Sequence, residues 1–258
     1  MTGEFTRSHD EPASPRGSEP ATPETLFQAR LAKDPTSPLI TFYDDTTGER
    51  AELSAKSLAN WVAKTHFLLL DSLGLGPGDR ACVQLPVHWL AAPILLGCWF
   101  AGLEVVGTAG AGSASVVFAD TDSLSALAPL SAPDVFAVSM LSMARPQAPP
   151  DGAEDYATSV RPMPDAWPTV RAQAGPGDPA LAGLNRARLA ERAARLAGEL
   201  GLSAAGRLLW TQPWTEPADW TAALLAPLAV GGSVVLVRDA DPTRVADRAN
   251  AEQATTIR

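Results

Sequence analysis

A chain of 258 residues with 20 basic and 29 acidic side chains, a net charge of −9, lacks the basic surface that sequence-independent nucleic-acid binding requires. At 46% hydrophobic and 19% charged residues it holds apolar material for one large α/β domain or two small ones, which excludes a wholly disordered chain. The two cysteines, Cys82 and Cys98, exclude a disulfide scaffold and fit a reducing, cytoplasmic setting.

Residues 1–23, rich in Ser, Pro and acids, read as a flexible tail without the apolar segment of a secretory signal. Residues 39–43 are a β-type run ended by the turn cluster 44–48. Ser54 is placed to cap a helix in which Leu58, Trp61, Val62, Thr65, Leu69 and Ser72 or Leu73 recur at helical spacing. The glycine-rich stretch 74–79 stops that helix. A short strand follows at 80–85, then a helix at 88–101 closed by Gly102, then a strand at 103–107. Residues 81–103 carry no formal charge and are about long enough to span a bilayer, but Gln84, Pro86, His88 and Pro93 interrupt them. They read as a buried strand–helix pair, with no membrane span. Residues 115–119 and 135–138 have the continuous apolar character of buried parallel strands.

Composition then shifts. Residues 145–179 are proline-rich and lack apolar periodicity, apart from a helical stretch near 153–160, as a linker or long surface loop would. Residues 180–184 form a candidate strand. Asn185 caps a helix striped by Leu189, Ala193, Leu196 and Leu200, with Glu191 and Arg195 placed to pair on its face. A strand at 207–211, a helix at 217–230 stopped by Gly231-Gly232, a strand at 233–237 and a helix opened by Pro242 follow. The alternation gives an α/β class, with largely parallel sheets and covering helices. The implied organisation is a tail at 1–23, a first α/β subdomain at 24–144, a Pro-rich linker or loop at 145–179 and a second α/β segment at 180–258.

Sites of chemistry are few. Residues 110–115 (Gly-Ala-Gly-Ser-Ala-Ser) open like a dinucleotide loop, but a strand follows where a helix is needed and the third glycine is missing. A glycine-Lys-Ser/Thr phosphate loop is excluded downstream of Lys64, the last lysine. His9, His66 and His88 are scattered, and Cys82, His88 and Cys98 lack paired ligand spacing, so no metal site and no catalytic residue is assigned. The carboxylate pairs Asp44/Asp45, Asp120/Asp122 and Asp239/Asp241 fall at strand ends and read as turn acids. Trp210, Trp214 and Trp220 cluster around a strand-to-helix connection, where open α/β sheets bind ligands. That makes Trp214 and Glu216 the candidate ligand-lining residues. The competing reading packs the indoles in the core and sets Glu216 and Asp219 against the positive end of the helix.

A family pattern is carried by two blocks. The first is Gly-Leu-Gly-Pro-Gly-Asp-Arg-Ala-Cys-Val-Gln-Leu-Pro at 74–86, followed by Phe-Ala-Gly-Leu-Glu-Val-Val at 100–106. The second is Gly-Arg-Leu-Leu-Trp-Thr-Gln-Pro at 206–213, followed by Leu-Leu-Ala-Pro-Leu-Ala-Val-Gly-Gly-Ser-Val-Val-Leu-Val at 224–237. In order and spacing they resemble adenylate-forming enzymes, the acyl-CoA synthetases and peptide-synthetase adenylation domains, over roughly residues 24–250. The chain also resembles a short actinobacterial family with distant similarity to those ligases. The resemblance implies part of their large N-terminal α/β domain. It also implies a T-S-G-T-T-G-x-P-K-G phosphate loop before the helix at 186–200, yet here residues 180–185 run from strand into helix. The family asparagine after Leu-Pro is Val87, and an aromatic–histidine pair is replaced by Thr215-Glu216. The ribose-binding T-G-D motif, the acyl-pocket segment and the C-terminal domain with its catalytic lysine do not occur before Arg258. The expectation is a non-catalytic or vestigial relative that binds a protein partner or a small carboxylate or acyl ligand, without a cofactor. The alternative is a divergent adenylating ligase using ATP and magnesium, completed by another chain.

Overall fold

The computed structural model describes residues 19–124, 132–214 and 217–258. Order begins earlier than composition suggested. Helix α1 (Pro23–Lys33) starts from a reciprocal cap in which the Thr22 side chain accepts the Thr25 N–H and the Thr25 hydroxyl accepts the Thr22 N–H. Pro23, assigned to a tail, is therefore the first helical residue, where its missing N–H costs nothing.

Two sheets carry the fold. In the first the order is β12-β10-β11-β1-β2, made of β1 (Pro38–Asp44), β2 (Arg50–Ser54), β10 (Arg207–Trp210), β11 (Ser233–Arg238) and β12 (Thr256–Ile257). All its pairings are parallel except the β1–β2 hairpin, and Ile40 lies opposite Val234. The second has the order β7-β6-β5-β3-β4-β8-β9. Its strands are β3 (Arg80–Gln84), β4 (Glu104–Val106), β5 (Val116–Asp120), β6 (Asp134–Val138), β7 (Glu154–Asp155), β8 (Pro179–Leu181) and β9 (Leu184–Asn185). It too is parallel apart from the terminal β8–β9 pair.

The two sheets interleave along the chain. The N-terminal β1 sits inside the sheet formed by the C-terminal strands, whereas β8 pairs with β4 of the other sheet. Strand alternation along the chain does not encode which strands become neighbours. A single core cluster joins Phe42 and Val234 of one sheet to Val83 and Phe118 of the other.

Between them lie α2 (Ala55–Phe67), capped by Ser54 as expected, and α3 (Ala91–Phe100), all ten of whose residues are buried. The uncharged stretch thus becomes strand plus core helix. Among the described residues no helix is long and apolar enough to cross a membrane. Helix α3 starts three residues later than its periodicity implied, because residues 88–90 form a turn in which the His88 Nδ1 accepts the Leu90 N–H. A Cβ at Gly97 would stand 2.6 Å from the Thr65 Cβ, so this glycine sets the approach of α3 to α2.

The proline-rich segment is not a free linker. It supplies β7 and helix α4 (Tyr156–Val160), both ends of which are buried, and Trp167 meets Phe27 and Phe100 edge-on at 5.3 and 5.2 Å. Isolated aromatics at turns bury area without leaving a periodic trace. Helix α5 (Arg186–Glu199) is capped by Asn185, while Glu191 reaches Arg188 at 3.5 Å in place of Arg195. The stretch read as one helix from 217 is α6 (Pro217–Trp220), a π turn at Thr221–Leu225 and α7 (Ala226–Ala229). Pro227 has no N–H to return to the preceding turn, and the wider turn absorbs the gap. Helix α8 (Val245–Ala251) packs on the outer face of the first sheet.

Candidate functional site

In the second sheet the chain runs from β3 to β4 on one side and then to β5 on the other, so strand order reverses beside β3. The carboxyl ends at such a reversal are where open α/β sheets form ligand crevices. A cleft of ≈ 500 Å³ lies there. Its walls are Gln84 and Leu85 at the end of β3, residues 106–110 at the end of β4 and beyond it, Ala182, Trp214, Pro217 and Trp220. The glycine loop behind β4 is a 3-10 turn (Thr108–Ser113), followed by a strand as its sequence context required. Gly110 serves packing: a Cβ there would come within 2.7 Å of Val106.

Trp214 also lines a second cleft of ≈ 410 Å³ at the carboxyl ends of β10 and β11, with Pro86, Val87, Pro213 and Arg238. Trp214 therefore divides two clefts at the mouths of two sheets. It is 8% exposed and Trp220 5%, and both indoles belong to the hydrophobic core. Trp210 N–H donates to the Gln212 carbonyl at 2.7 Å, whereas the Trp214 and Trp220 N–H groups find no acceptor among the described residues. The other candidate, Glu216, lies outside the described residues.

The connection into α5 is a two-residue hairpin turn. Ala182 and Gly183 have φ of 46° and 83°, the left-handed pair that a tight turn between β8 and β9 demands. Its amides are consumed. Ala182 N–H donates to the Val105 carbonyl at 3.0 Å, and Gly183 N–H donates to Glu104 Oε1 at 2.9 Å. The other oxygen of Glu104 accepts from Arg80 at 2.9 Å. The leading N–H groups of α5 are equally occupied. Arg186 N–H donates to Asp178 O, Ala187 N–H to Pro176 O, and Arg188 N–H to the Asn185 side chain at 2.8 Å.

The remaining sequence candidates have structural partners. Burial would raise the Asp44 carboxyl, but the Arg238 guanidinium and the Thr46 and Thr47 N–H groups hold it below the usual range. Asp45 is lowered chiefly by its hydrogen bonds from Arg248, which tie α8 to the end of β1. Burial pushes the His88 imidazole down to about 3, with Arg238 adding to the effect, and its Nε2 has no hydrogen-bond partner among the described residues. Burial pushes the Cys82 thiol up to about 11 and raises Cys98 further. The structure does not bring these groups together: among the described residues no His, Cys, Asp or Glu cluster could hold a metal ion. Glu104 was the residue that sequence reasoning missed. Its signal was an acid inside the apolar run Leu103-Glu104-Val105-Val106.

No family model matches the chain. It is 38% identical over 244 residues to a "TIGR03089 family protein" of Mycobacterium tuberculosis, covering 92% of this chain and 99% of that relative. By structure it is similar to an acyl-CoA synthetase of Brucella canis, with a TM-score of 0.72 at 17% identity, over 92% of this chain and 47% of that one. An acetoacetyl-CoA synthetase of Streptomyces lividans gives 0.68 at 19% identity, over 84% and 38%. The fold is that of the N-terminal part of adenylate-forming enzymes, and the chain spans less than half the length of these solved structures.

Proposed function

The chain belongs to the TIGR03089 family, and from that premise we propose that it is a non-adenylating binding protein built on an adenylate-forming fold. Acid activation brings a carboxylate onto the α-phosphate of ATP, so two anions must meet. Oriented amides, cations and metal have to offset that repulsion, and loss of one transition-state donor lowers the rate by about 10²–10³.

One observation carries the reading. Where the family resemblance sets a phosphate loop ahead of α5, the Gly183 amide is bound by the Glu104 carboxylate and the first N–H groups of α5 are already bonded within the chain. A phosphate seated there would meet a negative charge in place of free donors. No lysine lies near this turn in sequence, and the Lys64 ammonium is committed to the carbonyls of Arg161 and Met163 at 2.8 and 2.5 Å.

The cleft walled by Trp214 has a volume of ≈ 500 Å³ and a mixed polar and apolar wall, and the buried N–H groups of Trp214 and Trp220 have no acceptor among the described residues. A small carboxylate or acyl group matches that chemistry, and a protein segment with such a side chain would do so equally. The free buried thiols support a cytoplasmic setting. ATP–pyrophosphate exchange by the pure protein, with a panel of carboxylic acids and saturating magnesium, tests the proposal. No exchange is expected, and robust turnover would overturn it.

The partial coverage of the solved synthetases favours one second reading, a ligase half completed by another chain that brings ATP and magnesium chemistry. Co-purification with the product of a neighbouring gene should then restore an ATP-dependent thermal shift. Its absence counts against that reading.

A further inference from the structure

A free carboxylate and an uncharged acyl group place different demands on the cleft of ≈ 500 Å³ beside Trp214. An anion taken out of water needs a cation or several aimed donors to offset its lost hydration. A neutral group needs only its own hydrogen bonds matched.

Among the described residues the wall of this cleft carries no formal charge. The guanidinium groups around it are engaged elsewhere. Arg238 lines the other cleft, across Trp214, and is paired with Asp44. Arg80, at the opposite end of β3 from Gln84, is paired with Glu104. The charges that come nearest are acidic. The Glu104 carboxylate accepts from Gly183, the residue after Ala182 on the wall. In sequence, residues 213–222 around the two tryptophans add Glu216 and Asp219 and no cation. A carboxylate seated here would lose water and gain no cation in return.

Two side chains on the wall offer neutral hydrogen bonds. Gln84 is the last residue of β3, and Thr108 opens the 3-10 turn beyond β4. Both are exposed, and neither side chain has a hydrogen-bond partner among the described residues. A carboxamide presents a donor and an acceptor in one plane, and a hydroxyl presents both from one atom. Trp214 and Trp220 add apolar surface for the body of a ligand.

Resting on the reading of this cleft as a ligand site, we infer that its ligand is an uncharged carboxamide on a small apolar body, paired with Gln84 and Thr108. An amide ligand accepts from the Gln84 Nε2 and donates to its Oε1, so both halves of that side chain are matched. A carboxylate would set its charge against the Oε1, and an ester would leave the Oε1 unmatched. The cleft volume lies in the ordinary range of small-ligand pockets, roughly 300–1,000 Å³.

The test is calorimetric titration of the full chain, at neutral pH and constant ionic strength, with benzamide, benzoate and methyl benzoate, which share one body and differ in hydrogen bonding. Saturable binding of benzamide is expected, about tenfold or more tighter than benzoate and tighter than the ester. Gln84→Leu should weaken benzamide about tenfold. Gln84→Lys puts a cation on the same wall and should reverse the order, so that benzoate binds tighter than benzamide. Gln84 is exposed at a strand end, and unchanged urea midpoints check that both variants keep the fold. Benzoate or the ester binding the unsubstituted chain as tightly as benzamide would overturn the carboxamide and leave the ligand site standing. Equal benzamide affinity in Gln84→Leu, or a preference for benzamide kept in Gln84→Lys, would do the same. Saturable binding of none of the three would remove the ligand site itself, and the carboxamide with it.

Discussion

The Arg186 Nε lies 2.8 Å from the Glu24 Oε1, and neither side chain is more than 1% exposed. The same guanidinium donates to the carbonyls of Trp99, Leu103 and Pro179. One buried cation thus ties the start of α1 to the end of α3, to β8 and to the first turn of α5. Arg186→Ala would leave the Glu24 carboxylate buried without its partner. Removing one member of such a pair costs about 3–5 kcal/mol. A fall of that size is expected in the stability from urea unfolding, with the slope unchanged.

Two glycines in helices should respond in opposite directions. Gly97→Ala drives a methyl group to 2.6 Å from Thr65 at the α2–α3 contact. Overpacking of that kind costs about 1–3 kcal/mol. Gly198, near the end of α5, has nothing within 4 Å of its would-be Cβ. Gly198→Ala is therefore expected to stabilise, by up to about 1 kcal/mol through helix propensity. Thermal melts of the two variants check the pair.

Acid should unfold the protein through two histidines. Burial lowers His66 from 6.5 to about 4 and His88 from 6.5 to about 3. The unfolded chain binds these protons more readily, so stability is full above pH 6.5 and declines as pH falls through 6.5 toward 4 and 3. Each histidine contributes a loss on the order of 2 kcal/mol between pH 7 and pH 5. His88→Phe should flatten the urea-midpoint profile across that range, because an apolar ring in the same site has no proton to take up.

At the Trp214 cleft, ring and N–H can be separated. Trp214→Phe keeps an aromatic wall and removes the unpartnered donor. If the cleft receives a carboxylate, affinity should drop about tenfold, as expected for a hydrogen bond to a charged group. Calorimetric titration with short-chain carboxylates reads this. Equal affinity in the variant would remove the indole N–H from the site.

Local signals were legible wherever a single residue sets the backbone. Ser54 and Asn185 cap the helices expected of them, and Gly102 and Gly231 end helical stretches with φ of 92° and 67°. The buried strands β5 and β6 follow from their continuous apolar character. Short or polar strands were not legible. β2 has only Leu53 buried and exists through its pairing with β1, and β12 is two residues held by β10. The site divided in the same way. Trp214 stood out as an aromatic beside a strand end and lies on the cleft. The role of Glu104 depends on a turn 79 residues away in the chain, a distance over which no local pattern reaches.

The placement of β1 between β2 and β11 has a consequence for biosynthesis. On the ribosome β1 emerges well before its parallel neighbour at residues 233–238. Until then one flank of a largely apolar strand stays open to any other chain with an unpaired edge. Nascent chains interrupted before residue 233 should therefore accumulate in the insoluble fraction of a cell, and chains released beyond β11 should not.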